Sequence, residues 1–196
     1  MEKLVAILIL FSLVIAIPRV HAQGSDPEKI WFQNICQGKE IVTRLHFYIQ
    51  DALGGPNATV WEVSKSIITS ISPTSFGQVR VLDDLITVGP DRNSSKLGWA
   101  QGLITFADMK ESALNMNINL VFTAGKYNGS TLCILGRNPI LNKNRELPVV
   151  GGTGVFRMAR GYSISNTYSY DSVLNYGVLE YTVYVAHVHN STLAIV

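Results

Sequence analysis

Runs of β-branched and aromatic residues recur along this chain, each closed by a turn signal, and no amphipathic helices alternate with them. Residues 42–50 end at Asp51-Ala52-Leu53-Gly54-Gly55-Pro56-Asn57, and residues 59–68 are followed by Ser72-Pro73-Thr74. In residues 77–88, Val79, Val81, Asp83 and Leu85 share one face, with Arg80, Leu82, Asp84 and Ile86 on the other. Residues 97–107, 117–123 and 130–135 are further strands, followed by the glycine-punctuated segment 149–165 and a last strand at 178–188. Only residues 108–116 carry helical character. About eight strands without intervening helices predict an antiparallel sandwich or barrel and argue against a parallel α/β fold.

Composition narrows the function. The 196 residues are 47% hydrophobic and 15% charged, which suits one globular domain. With 16 Lys and Arg against 14 Asp and Glu, the net charge is +2 and no basic block occurs, which excludes nucleic-acid binding through bulk charge. Two cysteines are too few for a disulfide-scaffolded miniprotein or a cysteine-only zinc site.

The N-terminus reads as a secretory signal peptide over residues 1–22. Lys3 opens it, an apolar run follows from Leu4 to Ile17, Pro18 breaks the run, and Val20-His21-Ala22 offers the cleavage site. The apolar run is shorter than the roughly 20 residues of a bilayer span. Residues 23–40 form an N-terminal extension and 41–196 the folded domain. A secreted chain makes the sequons at Asn57, Asn93, Asn128 and Asn190 glycan acceptors. Cys36 and Cys133 have two readings in that compartment. As a disulfide they close a loop of roughly 100 residues, worth about 4 to 5 kcal/mol; alternatively Cys133 is a buried, reduced thiol in an apolar run.

Catalytic signatures are sparse. There is no Gly-x-Ser-x-Gly elbow and no His-Glu-x-x-His, and no flavin, haem or copper motif. Gly151-Gly152-Thr153-Gly154 lacks the Lys-Ser/Thr of a phosphate loop and reads as a β-turn or bulge. His187 and His189 share a face of the last strand without a further ligand, and read as a surface pair rather than half a metal site. Charges embedded in apolar strands are the stronger signal, because such a charge must be paired or aimed at a ligand. They are Asp51, Asp83, Arg145, Arg157 and Arg160.

Ordered motifs then extend over residues 41–188. Phe47-Tyr48-Ile49-Gln50-Asp51 precedes Gly55-Pro56-Asn57-Ala58-Thr59, and Phe76-Gly77-Gln78-Val79 leads through Asp83-Asp84-Leu85-Ile86-Thr87 to Gly89-Pro90. Gly98-Trp99-Ala100-Gln101-Gly102, Tyr127-Asn128-Gly129-Ser130-Thr131 and Gly136-Arg137-Asn138-Pro139 follow, then Arg145-Glu146-Leu147-Pro148 before Val149-Val150-Gly151-Gly152-Thr153-Gly154. Together they resemble the plant dirigent proteins. The resemblance implies an all-β, eight-stranded antiparallel barrel of the calycin and allene-oxide-cyclase kind, secreted to the apoplast and assembled as a homo-oligomer, a trimer or a dimer. It implies no cofactor, a small phenolic substrate, and a separate laccase or peroxidase that makes phenoxy radicals.

On this resemblance Asp51 and Arg145 are the catalytic residues, while Phe47, Ile49, Asp83, Ile104 and Asn138 contact substrate. Departures from the lignan-forming pattern stand out. Ile104 occupies a Tyr position, Asn138 an Asp position and Trp99 an Arg position, and the family's C-terminal Cys is missing. Asn138 can hydrogen-bond but cannot transfer a proton. The Gly-Arg-Asn-Pro form is similar to the pterocarpan-synthase subgroup, which dehydrates an isoflavanol through a quinone methide. Three functions therefore follow: stereoselective radical coupling, with no oxidase activity of its own; dehydration, a lyase reaction; or non-catalytic binding of phenolics or cell-wall components.

Overall fold

Along β5 (Ala113–Phe122) Leu114, Met116, Ile118, Leu120 and Phe122 are buried, while Asn115, Asn117 and Asn119 face solvent. That period of two, repeated around the molecule, makes a sheet with one dry face. The computed structural model describes residues 32–33 and 38–188, and the barrel is the compact unit that begins at Gly38. The signal peptide, Cys36, His189 and Asn190 lie outside the described residues.

The remaining strands are β1 (Glu40–Ala52), β2 (Val60–Ser64), β3 (Val79–Thr87), β4 (Lys96–Phe106), β6 (Thr131–Pro139), β7 (Arg145–Thr153), β8 (Arg160–Asp171) and β9 (Tyr176–Val188). Every pairing is antiparallel, in the order β1-β9-β8-β7-β6-β5-β4-β3. Pairing of β1 with β3, at Tyr48 with Thr87 and Gln50 with Leu85, shuts this ring of eight. The short β2 pairs with the first half of β3, Val60 against Leu82, and so continues the wall where β1 ends. The expected all-β antiparallel barrel is the observed fold.

Closure brings the inward faces together. Phe47, Ile49, Ile86, Leu120, Leu132, Leu147, Val183 and Val185 are each buried to 2% exposure or less. One end of the barrel is stoppered by aromatic rings: Phe156 packs on Tyr127 at 4.9 Å, on Phe122 at 5.8 Å and edge-to-face on His187 at 5.2 Å. His187 is therefore not a surface residue. It is buried in this plug, with Nε2 2.9 Å from Thr43 Oγ1.

Residues 108–116 are likewise not helical. Asp108 Oδ1 accepts hydrogen bonds from the Lys110 and Glu111 amides, 2.8 and 3.0 Å, which makes a tight turn. β5 begins directly after it, at Ala113. Gly154, at φ +60, sits in the β7–β8 connection, where a tight turn was expected.

Candidate functional site

Strands that leave the plug diverge toward the opposite end, where the ends of β1, β4, β6 and β8 meet the starts of β3, β5, β7 and β9. Between them lies a cavity of about 510 Å³. That volume falls within the range of small-molecule pockets. Its walls are mostly aliphatic, with Ile49, Leu82, Ala100, Ile104, Met116 and Leu179 among them, joined by Phe106, Tyr170 and Tyr181. Against this apolar lining stand two carboxylates, Asp51 and Asp84, two guanidiniums, Arg80 and Arg145, and the amide of Asn138.

Asp51 is the penultimate residue of β1, two positions beyond inward-facing Ile49. Burial raises its carboxyl to about 6, against the opposing pull of the nearby Arg80 cation. Asp84 faces the same space from β3. Burial, then the negative charge of Asp51, raise it to about 8; the hydrogen bond from Thr59 works the other way, and Asp83 adds a lesser push upward. Both acids are thus pushed upward by burial, Asp84 further by the charge of Asp51, and around neutral pH the pair shares a proton.

Arg145 opens β7 and is buried to 5% exposure. Its Nη1 donates to the carbonyls of Ile140 and Asn142, at 2.9 and 3.4 Å, and to Thr167 Oγ1 at 3.1 Å; Nε donates to Ser165 Oγ at 3.4 Å. These are neutral partners, and among the described residues no ion pair offsets its charge. Burial lowers its proton affinity, but a guanidinium stays charged at any ordinary pH. Arg80 lies over the Phe106 ring at 5.0 Å, and its Nε donates to Gln78 Oε1 at 2.8 Å.

Of the residues expected here, Asp51, Arg145, Ile49, Ile104 and Asn138 line the cavity. Asp83 does not. It points outward, accepting from Gln101 Nε2 at 2.8 Å, and its neighbour Asp84 takes the inward place. Phe47 also lies off the cavity: it is fully buried and stacked on Tyr181, ring centroids 5.8 Å apart. Arg160 bonds Glu40 on the outer surface. The Gly136-Arg137-Asn138-Pro139 motif splits its work between faces. Asn138 is buried inside, while Arg137 reaches outward to Asp108, at 2.9 Å, and Glu111.

The sequon asparagines Asn57, Asn93 and Asn128 are all exposed in connections between strands. Cys133 is a free, half-buried thiol on β6, its Sγ donating to Asn119 Oδ1 at 3.1 Å; Cys36, its partner in the disulfide reading, is outside the described residues.

The profile of the family described as Dirigent-like protein matches residues 42–186. The chain belongs to the dirigent family. Among its relatives, Dirigent protein 21 of Arabidopsis thaliana is 44% identical over 146 residues, which is 74% of this chain and 77% of that protein. Pterocarpan synthase 1 of Glycine max is 37% identical over 180 residues, 91% of this chain and 92% of that one. A solved structure, that of the pterocarpan synthase dirigent protein GePTS1, superposes with a TM-score of 0.69 at 38% identity, covering 78% of this chain and 88% of that chain. The cavity of this dirigent protein thus sits in a barrel shared with solved relatives.

Two functional features escaped sequence reasoning. Asp84 was passed over for Asp83 because both faces of β3 carry apolar residues and one acid each. The presence of Arg80 on the face of Asp84 was the available signal, since a buried acid needs a counter-charge. Thr59 reads in the sequence as a strand start, a sequon residue and the end of a family motif, none of which marks a site residue.

Proposed function

We propose that this dirigent protein holds a phenolic substrate inside the barrel and directs the stereochemistry of its bond formation, using radicals that a separate laccase or peroxidase supplies. The observation that carries this reading is the convergence of Asp51, Asp84, Arg80 and Arg145 in a cavity whose walls are otherwise mostly apolar. Apolar walls take up aromatic rings, and the few polar groups fix their orientation. Coupling of two phenoxy radicals forms a carbon–carbon bond and leaves quinone methides. In the first ring closure Asp84 protonates one quinone methide oxygen while ionised Asp51 accepts the proton of the attacking hydroxyl; in the second the two acids exchange roles, which restores both. Arg145, which has no ion pair among the described residues, would stabilise the developing phenolate with its charge.

A second reading, dehydration of an isoflavanol, is favoured by the single proton shared between Asp51 and Asp84 near neutral pH. Asp84 then gives its proton to the departing hydroxyl, which leaves as water, while Asp51 takes the phenol proton to form the quinone methide. A second phenol of the substrate closes the ring; its proton returns to Asp84, and Asp51 gives back the first. No oxidant is consumed.

Chiral chromatography decides between them. Purified protein with coniferyl alcohol and a laccase is expected to give one pinoresinol enantiomer in excess, and a racemate overturns the first reading for that substrate. Conversion of an isoflavanol without oxidase establishes the second. In either case Asp51→Asn should lower the directed product at least about 100-fold, the scale of general acid–base catalysis; unchanged turnover removes Asp51 from the mechanism.

We further propose secretion to the apoplast with cleavage after Ala22, glycans on exposed sequons, and assembly as a homo-oligomer. Trp61, Val81 and Leu103 are exposed apolar residues in register across β2, β3 and β4 on the outer wall, which supports a covered face. Intact and native mass measurements on the secreted protein check all three.

A further inference from the structure

Thr59 lies where β1, β2 and β3 come together, and every polar atom it has is used to join them. Its amide donates to the Ala52 carbonyl at 2.9 Å, and its carbonyl accepts from the Asp83 amide at 3.0 Å. Its hydroxyl oxygen accepts from the Ala52 amide at 3.2 Å. The same hydroxyl donates to Asp84 Oδ1. The order of these bonds matters. An amide can only donate, so the Ala52 N–H fills a lone pair of Thr59 Oγ1 and leaves the hydroxyl proton to point at Asp84. Asp84 Oδ1 is then committed as an acceptor, and the acidic proton of this carboxyl belongs on Oδ2.

We propose that Thr59 is the positioning residue of the site: a backbone-locked hydroxyl that fixes which oxygen of Asp84 carries the proton and holds that carboxyl beside Asp51. This rests on the acid–base reading of the cavity and adds to it the element that orients the acid. Ala52, which locks the hydroxyl, directly follows Asp51, so one hydrogen-bond chain runs from the strand of the first acid to the side chain of the second. The charged and titratable groups around Asp84 are Asp51 from β1, Arg80 and Asp83 from β3, and Tyr176 and Tyr181 from β9. The paired strand β4 sets Ala100 opposite Asp84 and brings no charge there.

The test reads the carboxyl and not turnover, so it stands or falls separately from the proposed reaction. Because Thr59 also completes the Asn57 sequon, all variants are made in an Asn57→Gln background, which removes any glycan effect. Infrared titration of the protonated carboxyl band, assigned by its loss in Asp84→Asn, is compared between Thr59, Thr59→Val and Thr59→Ser. A hydrogen bond to a charged group is worth enough that Thr59→Val should raise the proton affinity of Asp84 about tenfold or more. Thr59→Ser should restore it. An unmoved titration in folded Thr59→Val, or a Thr59→Ser variant that behaves like valine, overturns the proposal. If the valine variant does not fold, the unmutated protein still decides: a locked hydroxyl predicts a slowly exchanging Thr59 hydroxyl proton in NMR, and fast exchange overturns the assignment. A confirmed Thr59 effect with no turnover of any phenol would leave this inference intact and remove the acid–base reading.

Discussion

Burial of an acid is a stability statement as well as a chemical one. An Asp in the unfolded chain ionises near pH 3.9, whereas in the fold Asp84 keeps its proton up to about 8 and Asp51 up to about 6. Between those limits the folded protein binds more protons than the unfolded one, so stability is fully present at low pH and falls as pH rises. Each tenfold difference in proton affinity is worth about 1.4 kcal/mol. Asp84→Asn should therefore flatten the fall above about pH 6, leaving only the part due to Asp51; urea midpoints measured from about pH 5 to about pH 9 check this. A variant that loses stability with the same slope would mean that Asp84 is ionised in the native cavity. Part of the cavity lining was legible at the level of residue types: Asp51, Ile104, Asn138 and Arg145, named from the motifs, all line it. The choice between Asp83 and Asp84 was not, because a period of two separates the faces of a strand without saying which is inner. That is settled by pairing partners more than ten residues away, here Val60 with Leu82 and Gly102 with Leu82.

At the scale of elements, β4 shows what barrel closure asks of a strand. Its inward positions include Gly98, Ala100 and Gly102, and a Cβ added at Gly102 would meet the Asn117 carbonyl oxygen at 2.0 Å. The small residues thus let β4 coil tightly against β5, and the Gly98-Trp99-Ala100-Gln101-Gly102 motif has a structural reason independent of chemistry. Gly102→Ala must push the two strands apart and should cost about 1–3 kcal/mol, as overpacking does; thermal unfolding measures it, and an unchanged midpoint would show that the sheet yields there. The outward members of the motif do other work, Lys96 lying over the Trp99 ring at 4.2 Å. The strand count was readable because turn residues punctuate the chain. The helical reading of residues 108–116 failed for a local reason. Asp108 folds its own backbone into a turn, and the strict alternation from Leu114 to Phe122 already belonged to a strand.

For the whole molecule, the strand pattern alone left closure open, since about eight antiparallel strands suit a sandwich as well as a barrel, and it was the family resemblance that chose the barrel. The contact that excludes the sandwich is the register of β1 on β3, two segments far apart in sequence and alike in pattern. Long-range pairing of that kind is decided by the joint burial of both faces and leaves no local mark. Phe122, Tyr127, Phe156 and His187 pack across one end, so among the described residues the chamber is closed on that side. Substrate and product share the same chamber, so a finished product must leave before the next substrate can enter. Product and substrate should accordingly compete for the same free protein. Added product should raise the apparent KM without lowering kcat, and inhibition of any other pattern would show that product is also bound outside this cavity. A stoppered barrel also keeps an unfinished intermediate from draining away behind the acids. The architecture makes retention the default and departure the event that has to be waited for.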